Sequence, residues 1–236
     1  MASKAGLDLW SERWEEGEKM NFHERQPKQY LTEEHIEKLT DGKTGLRFLV
    51  PLCGKSPEMK WLVDQGQVVV GIEGVQKPCE EFFKRQQIDY SVADISEIPG
   101  GKHFKSDDGR VEIYNCDVLK LESAILGEFD AVFDRGAFVV MDFELRPKYV
   151  TLMKSVSKTG CKILLAVQEY DWNERKIKGP PYPVCRKDVE TLFGDWCKIE
   201  EYSRLDRLKN CPEKFNEKWG PGITSHFRVE YLLEVL

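Results

Sequence analysis

No stretch of this 236-residue chain is apolar for long enough to cross a bilayer, and no secretory leader opens it. Cysteine pairs at metal-binding or redox spacing are missing too. The seven cysteines stand at 53, 79, 116, 161, 185, 197 and 211 with no CxxC among them. That odd, scattered set predicts buried thiols in a reducing compartment, so a cytoplasmic location is expected and no membrane association. The four histidines, 23, 35, 103 and 226, show no HxxxH spacing, so no metal site is expected. There is no G-x-S-x-G elbow, no Walker loop, no internal repeat and no low-complexity tract. An excess of positive charge is absent as well: the formal net charge is -6, which argues against nucleic acid as a partner. Arg204, Arg207, Lys209, Lys214 and Lys218 are interrupted by Asp206, Glu213 and Glu217, as on a solvated surface.

What is present centres on residues 46 to 73. Leu46 to Val50 is a short apolar run of the kind buried in a parallel sheet. Pro51-Leu52-Cys53-Gly54-Lys55 follows as a tight loop. Ser56 as N-cap and Pro57 at the first helical position then predict a helix carrying Met59, Leu62 and Val63 on one face and ending at Gly66. Val68 to Ile72 predicts a second parallel strand with Glu73 at its tip. Loops at the carboxyl edge of such sheets bind ligands, Gly54 allows close backbone approach, and Glu73 can accept from both hydroxyls of a ribose. A dinucleotide loop would read G-x-G-x-x-G, whereas Leu52 and Pro57 stand where its outer glycines belong. A pyrophosphate needs those glycines and S-adenosylmethionine does not, so S-adenosylmethionine is the expected cofactor.

The rest of the chain repeats the strand-helix alternation. Helices are expected over Pro78 to Gln87, from Asp142 or Phe143 to Ser157, and over Asp188 to Phe193; strands over Val111 to Cys116, Phe129 to Phe133, Lys162 to Gln168, Cys197 to Tyr202 and Phe227 to Val235. Gly100-Gly101 and Asp108-Gly109 predict an intervening hairpin. The last two strands, joined without a clear helix, can pair antiparallel. The fold class expected is α/β: a Rossmann-like, mostly parallel sheet with an antiparallel last strand and helices on both faces, in one domain of residues 1–236. Ahead of it, Asp8 can cap a helix bearing Trp10 and Trp14 on one face, and Pro27 to Leu39 predicts a second helix. From the residues alone, that N-terminal segment is either core packing or a lid over the cofactor. Asp117 is likewise either an acceptor for an adenine amino group or a helix cap. Pro180-Pro181-Tyr182 follows the fifth strand without the preceding amide or acid of the base-methylating motif, and reads as a rigid cover segment.

At this point the residues resemble the thiopurine S-methyltransferase family over nearly the whole chain. The resemblance rests on Leu9-Trp10 with Trp14, Gly45-Leu46-Arg47, Pro51-Leu52-Cys53-Gly54-Lys55 with Glu58-Met59-Lys60-Trp61, and Val69-Val70-Gly71-Ile72-Glu73. It continues through Glu81-Phe82-Phe83, Glu97-Ile98-Pro99-Gly100, Phe129-Asp130, Asp134-Arg135-Gly136-Ala137, Gly179-Pro180-Pro181 and Leu192-Phe193-Gly194. It implies a class I methyltransferase acting on aromatic or heterocyclic thiols of the thiopurine kind, with a small-molecule partner; nothing in the sequence demands more than a monomer. It also implies that residues 1–40 are a helical lid over an α/β core of 41–236. By that resemblance S-adenosylmethionine contacts Trp10, Trp14, Leu52, Gly54, Glu73, Asp117, Val118 and Arg135, Phe22 faces the acceptor, and Arg135 is the catalytic residue beside the thiol. The chain departs from the family at Gly74, Asp117 and Phe133, and over Glu213 to Trp219, where Lys214 replaces a second substrate-side arginine less rigidly. Two rival readings stay open: methylation of sulfide, halide or selenium compounds, and an idle binding module of the same fold.

Overall fold

The computed structural model describes residues 4–15, 30–176, 178–210 and 222–236. Two helices precede the sheet, α1 (Lys4–Glu15) and α2 (Glu33–Thr40). Asp8 does not cap α1; it lies inside it on the exposed side, because the helix already runs through Lys4-Ala5. α2 starts later than Pro27. Thr32 stops it with a capping box in which Thr32 Oγ1 accepts from the His35 N–H and His35 Nδ1 accepts from the Thr32 N–H.

The alternation then runs β1 (Arg47–Pro51), α3 (Pro57–Asp64), β2 (Val68–Glu73), α4 (Gln76–Gln86), β3 (Tyr90–Asp94), β4 (Lys102–Ser106) and β5 (Val111–Asn115). After these come α5 (Ser123–Leu126), β6 (Phe129–Arg135), α6 (Arg146–Val156), β7 (Ser157–Glu169), α7 (Arg186–Phe193), β8 (Cys197–Asp206), α8 (Arg207–Asn210) and β9 (Phe227–Val235). α6 begins at Arg146 rather than at Asp142, since Pro147 fits only the first helical turn. Its end at Val156 passes directly into β7, so Gly160 lies in the strand and not at the helix terminus. The expected cap at Ser56 is also different: its hydroxyl turns to the buried Glu58 carboxylate instead of to the helix backbone.

The sheet order is β3-β4-β5-β2-β1-β6-β7-β9-β8. The five strands from β5 to β7 are parallel; β3 and β4 extend one side as the expected hairpin, and β9 runs antiparallel to both β7 and β8. From β1 the chain goes first to one side and then to the other, so the switch point lies between β1 and β6. Both faces are covered, which explains the unbroken apolar runs. Phe48 and Val50 pack with Leu31, Met59 and Phe82 on the α2–α4 face, while Leu49 packs with Val132, Tyr149 and Phe193 on the α6–α7 face. No described helix is long and apolar enough to cross a membrane.

Gly71 lets the first two strands and α3 close up. A Cβ there would stand 2.6 Å from Cys53 Sγ, 3.1 Å from Met59 Sδ and 3.3 Å from Ile113 Cγ1. Gly71→Ala is therefore expected to cost about 1–3 kcal/mol by overpacking. Urea midpoints check it: Cys53→Ala on top of Gly71→Ala should recover part of the loss, and equal midpoints for wild type and Gly71→Ala would refute the packing.

Candidate active site

The loop between β1 and α3 carries two left-handed residues, Leu52 at φ 47° and Gly54 at φ 53°. Glycine takes that conformation freely; leucine pays about 1–2 kcal/mol in a left-handed turn. Hydrogen bonds hold it there. The Cys53 N–H donates to Ile72 O at 2.9 Å, and the Ser56 N–H to Cys53 O at 3.0 Å. The Gly54 N–H donates to Glu73 Oε2 at 2.9 Å. Since these three amides are already used and Pro57 has none, little of a phosphate cradle remains at the start of α3.

Glu73, at the end of β2, is buried, so it is not a solvated strand-end acid. Its second oxygen, Oε1, accepts from the Val75 N–H at 2.8 Å. One carboxylate thus ties the loop after β1 to the turn after β2. Burial pushes its pKa up to about 7, against the pull of the Val75, Gly54 and Gly74 amides. A carboxylate offers about four lone-pair positions, so two remain for further donors. The paired hydroxyls of a ribose fit that remainder, and S-adenosylmethionine brings them without the phosphate the loop disfavours.

Neighbouring residues fall along the same carboxyl edge. Asn115, closing β5, donates from Nδ2 to Glu73 O at 2.9 Å. Asp117 two residues later caps a short turn at Val118–Lys120, its Oδ1 accepting from the Leu119 N–H at 3.0 Å. The capping reading of Asp117 is therefore realised, and Val118 is buried beneath it. Beyond β1, Arg135 ends β6. Asp134 beside it is buried and shapes the following bend: Oδ1 accepts from the Ala137 and Phe138 amides, both at 3.1 Å, and Oδ2 from Tyr149 Oη–H at 2.7 Å. Burial raises its pKa to about 6. Trp14 of α1 is buried, with Lys55 Nζ 5.7 Å from the centre of its ring; Lys55 also pairs with Glu81 of α4 at 2.7 Å, and Glu15 with Lys77 at 3.1 Å. α1 therefore docks on the loop after β1 and on α4. Trp10 is half-buried, with the Arg13 guanidinium 5.1 Å from its ring. Phe22 and Lys214 lie outside the described residues.

Further residues gather here, and of these the sequence marked only Arg135 and the Pro-rich segment with Tyr182. The Arg135 guanidinium carbon lies 3.5 Å from the centre of the Tyr30 ring, and that of Arg228 lies 5.3 Å from it. After β6 and β7, Phe143, Trp172 and Tyr182 stand with ring centres 5.3 to 6.1 Å apart. Arg175 binds the carbonyls of Gly179, Pro180 and Pro181 and so shapes the Pro-rich segment. Five of the described cysteines are buried thiols: burial drives Cys53 and Cys79 upward, Cys116 and Cys197 to about 12 and Cys161 to about 11. Among the described residues no His, Cys, Asp and Glu group could hold a metal.

A sparse-glycine loop beside the switch point, tied to a buried carboxylate that closes the neighbouring parallel strand, is the arrangement of a class I S-adenosylmethionine-dependent methyltransferase. The solved structures agree on the fold: a Burkholderia thailandensis 1,6-didemethyltoxoflavin-N1-methyltransferase bound to S-adenosylhomocysteine superposes with a TM-score of 0.62 at 15% identity, covering 98% of this chain and 88% of that one. The family model for thiopurine S-methyltransferase matches residues 5–227. A probable thiopurine S-methyltransferase of Danio rerio is 39% identical over 91% of this chain and 89% of its own length, and the thiopurine S-methyltransferase of Panthera leo 37% identical over 98% and 87%. The chain belongs to the thiopurine S-methyltransferase family.

Donors on the cofactor favour the ionised form of Glu73, so binding should lower its pKa from about 7 and release a proton. Affinity is then expected to rise as pH climbs from about 5 to about 7 and to level off above. Calorimetry with S-adenosylhomocysteine in two buffers of different ionisation heat checks it, with Glu73→Gln expected to flatten the slope. The free protein moves the other way. A carboxyl raised by folding from 4.5 to about 7 contributes stability below its unfolded value that is lost as pH rises toward 7.

Proposed function

We propose that the protein methylates the sulfur of aromatic or heterocyclic thiols, of the thiopurine kind, in the cytoplasm and as a monomer. The observation that carries the proposal is Arg135: a planar cation at the carboxyl edge of β6, stacked on Tyr30. Family membership and the π-rich wall of Phe143, Trp172 and Tyr182 support an aromatic acceptor.

When bound, S-adenosylmethionine supplies a methyl on a sulfonium sulfur, open to in-line displacement by a thiolate. Glu73, with Leu52 and Gly54, holds the ribose end, and Asp117 and Val118 flank the adenine. Trp10 and Trp14 close over it from α1, so residues 1–40 act as a lid on the core of 41–236. Phe22 adds to the cover on the acceptor side, and excluding water there keeps charges strong. Arg135 serves both ligands: its guanidinium lowers the cost of the thiolate and orients the acceptor. Aromatic thiols ionise readily near neutral pH, so no strong protein base is required.

Labelled S-adenosylmethionine offered with a panel of thiols tests the acceptor class. Aromatic thiols should be methylated well ahead of sulfide, halide and selenium compounds; the reverse order, or volatile products alone, would overturn it. Arg135→Ala removes a charged hydrogen bond of about 1.5–3 kcal/mol, so transfer should fall roughly 10- to 100-fold. S-adenosylhomocysteine affinity should fall less. Unchanged turnover in that variant would take Arg135 out of the reaction.

A further inference from the structure

We infer that Tyr30 is the positioning residue of Arg135, and that Arg228 with Glu230 holds Tyr30 in that role. The inference rests on the reading that Arg135 faces the acceptor. In the sequence Tyr30, Arg135 and the Arg228–Glu230 pair lie far apart, and no spacing relates them.

At 3.5 Å from the centre of the ring, the Arg135 guanidinium is within stacking distance of Tyr30. Stacking engages the π face of the guanidinium. Its N–H groups lie in the plane of the guanidinium, at the edge, and not on the face that meets the ring. A long, flexible side chain at a strand end thereby acquires a fixed plane. That matters for an in-line displacement, because a misplacement of about 1 Å costs roughly 100-fold in rate.

Tyr30 itself is only 7% exposed. Two residues on, the Thr32 capping box fixes how the chain enters α2. On the sheet side, Arg228 Cζ lies 5.3 Å from the same ring. Two guanidinium groups beside one ring repel each other, and Glu230 supplies the counter-charge. It accepts from Arg228 Nη2 at 2.6 Å and from Ser203 Oγ at 2.5 Å, and its Oε2 faces His35 Nε2 at 3.5 Å. Burial alone would raise this carboxyl, but His35, Arg228 and Ser203 hold it down at about 2. It therefore stays ionised throughout the working pH range. Strand register completes the arrangement: Arg135 stands opposite Ala166 and Ala166 opposite Glu230, so all three share one face of the sheet. Arg228 is on that face too, two residues from Glu230 on β9.

The test uses the full chain with Tyr30→Leu, Tyr30→Phe and Arg228→Gln. Three quantities are read: kcat and KM for 4-nitrothiophenol, the Kd of S-adenosylhomocysteine, and the Arg135 Nε–H signal by nitrogen NMR, assigned with Arg135→Lys. Tyr30→Leu should lower kcat/KM by roughly 30- to 100-fold. The Kd should change by less than about threefold, and the Arg135 signal should broaden and exchange faster. Tyr30→Phe keeps the ring face and should restore both rate and signal. An unmoved Arg135 signal in Tyr30→Leu, or a Tyr30→Phe as impaired as Tyr30→Leu, overturns the inference. If Tyr30→Leu does not fold, Arg228→Gln is read in its place: a shifted Arg135 signal supports the stack and an unmoved one overturns it. A wild type that methylates no thiol would sink the acceptor class, and the NMR signals would still judge the stack by themselves.

Discussion

The carboxylate of Glu73 is the constraint on which the site depends. It is a buried carboxyl group satisfied by two backbone amides from two different loops. An isolated buried carboxylate is costly, so both loops are held where they can serve it. The loop after β1 accepts a left-handed leucine as part of that arrangement, and Gly71 beneath it removes the side chain that would push the first loop away. The two loops are thus set by the protein's own hydrogen bonds, and the fold leaves the carboxylate with acceptor positions to spare.

Much of this was legible in the sequence because it is local. Ser56-Pro57, Gly66 and the run Val68 to Ile72 mark a strand, loop, helix and strand within thirty residues, and the structure has them there. Leu52 and Pro57 in place of glycines argued against a phosphate, and the committed amides of Cys53, Gly54 and Ser56 give the structural counterpart. Boundaries erred where tertiary partners decided. Ser56 looked like a cap, but a buried Glu58 competes for its hydroxyl. Pro147 should have moved the start of α6.

What stayed hidden is what the sheet brings together from distant strands. Tyr30, Arg135 and Arg228 span nearly two hundred positions, and no periodicity relates them. They meet because β9 lies beside β7, which in turn lies beside β6. The sequence did indicate that the final two strands pair antiparallel. It carried no signal that the later of them would insert between β7 and β8. Asp134 is similar: no local pattern shows that its oxygens go to two amides and the Tyr149 hydroxyl.

That insertion has a consequence for how the molecule is made. β9, the last strand in the chain order, is an interior strand, hydrogen-bonded on both sides. During synthesis β7 and β8 emerge first, each with an unsatisfied flank, and neither can take the other as its permanent neighbour. Until β9 joins, the free flank of β7 stays open and β8 has no place in the sheet. A chain interrupted before β9 would carry two sticky edges, a substrate for chaperones rather than a finished fold.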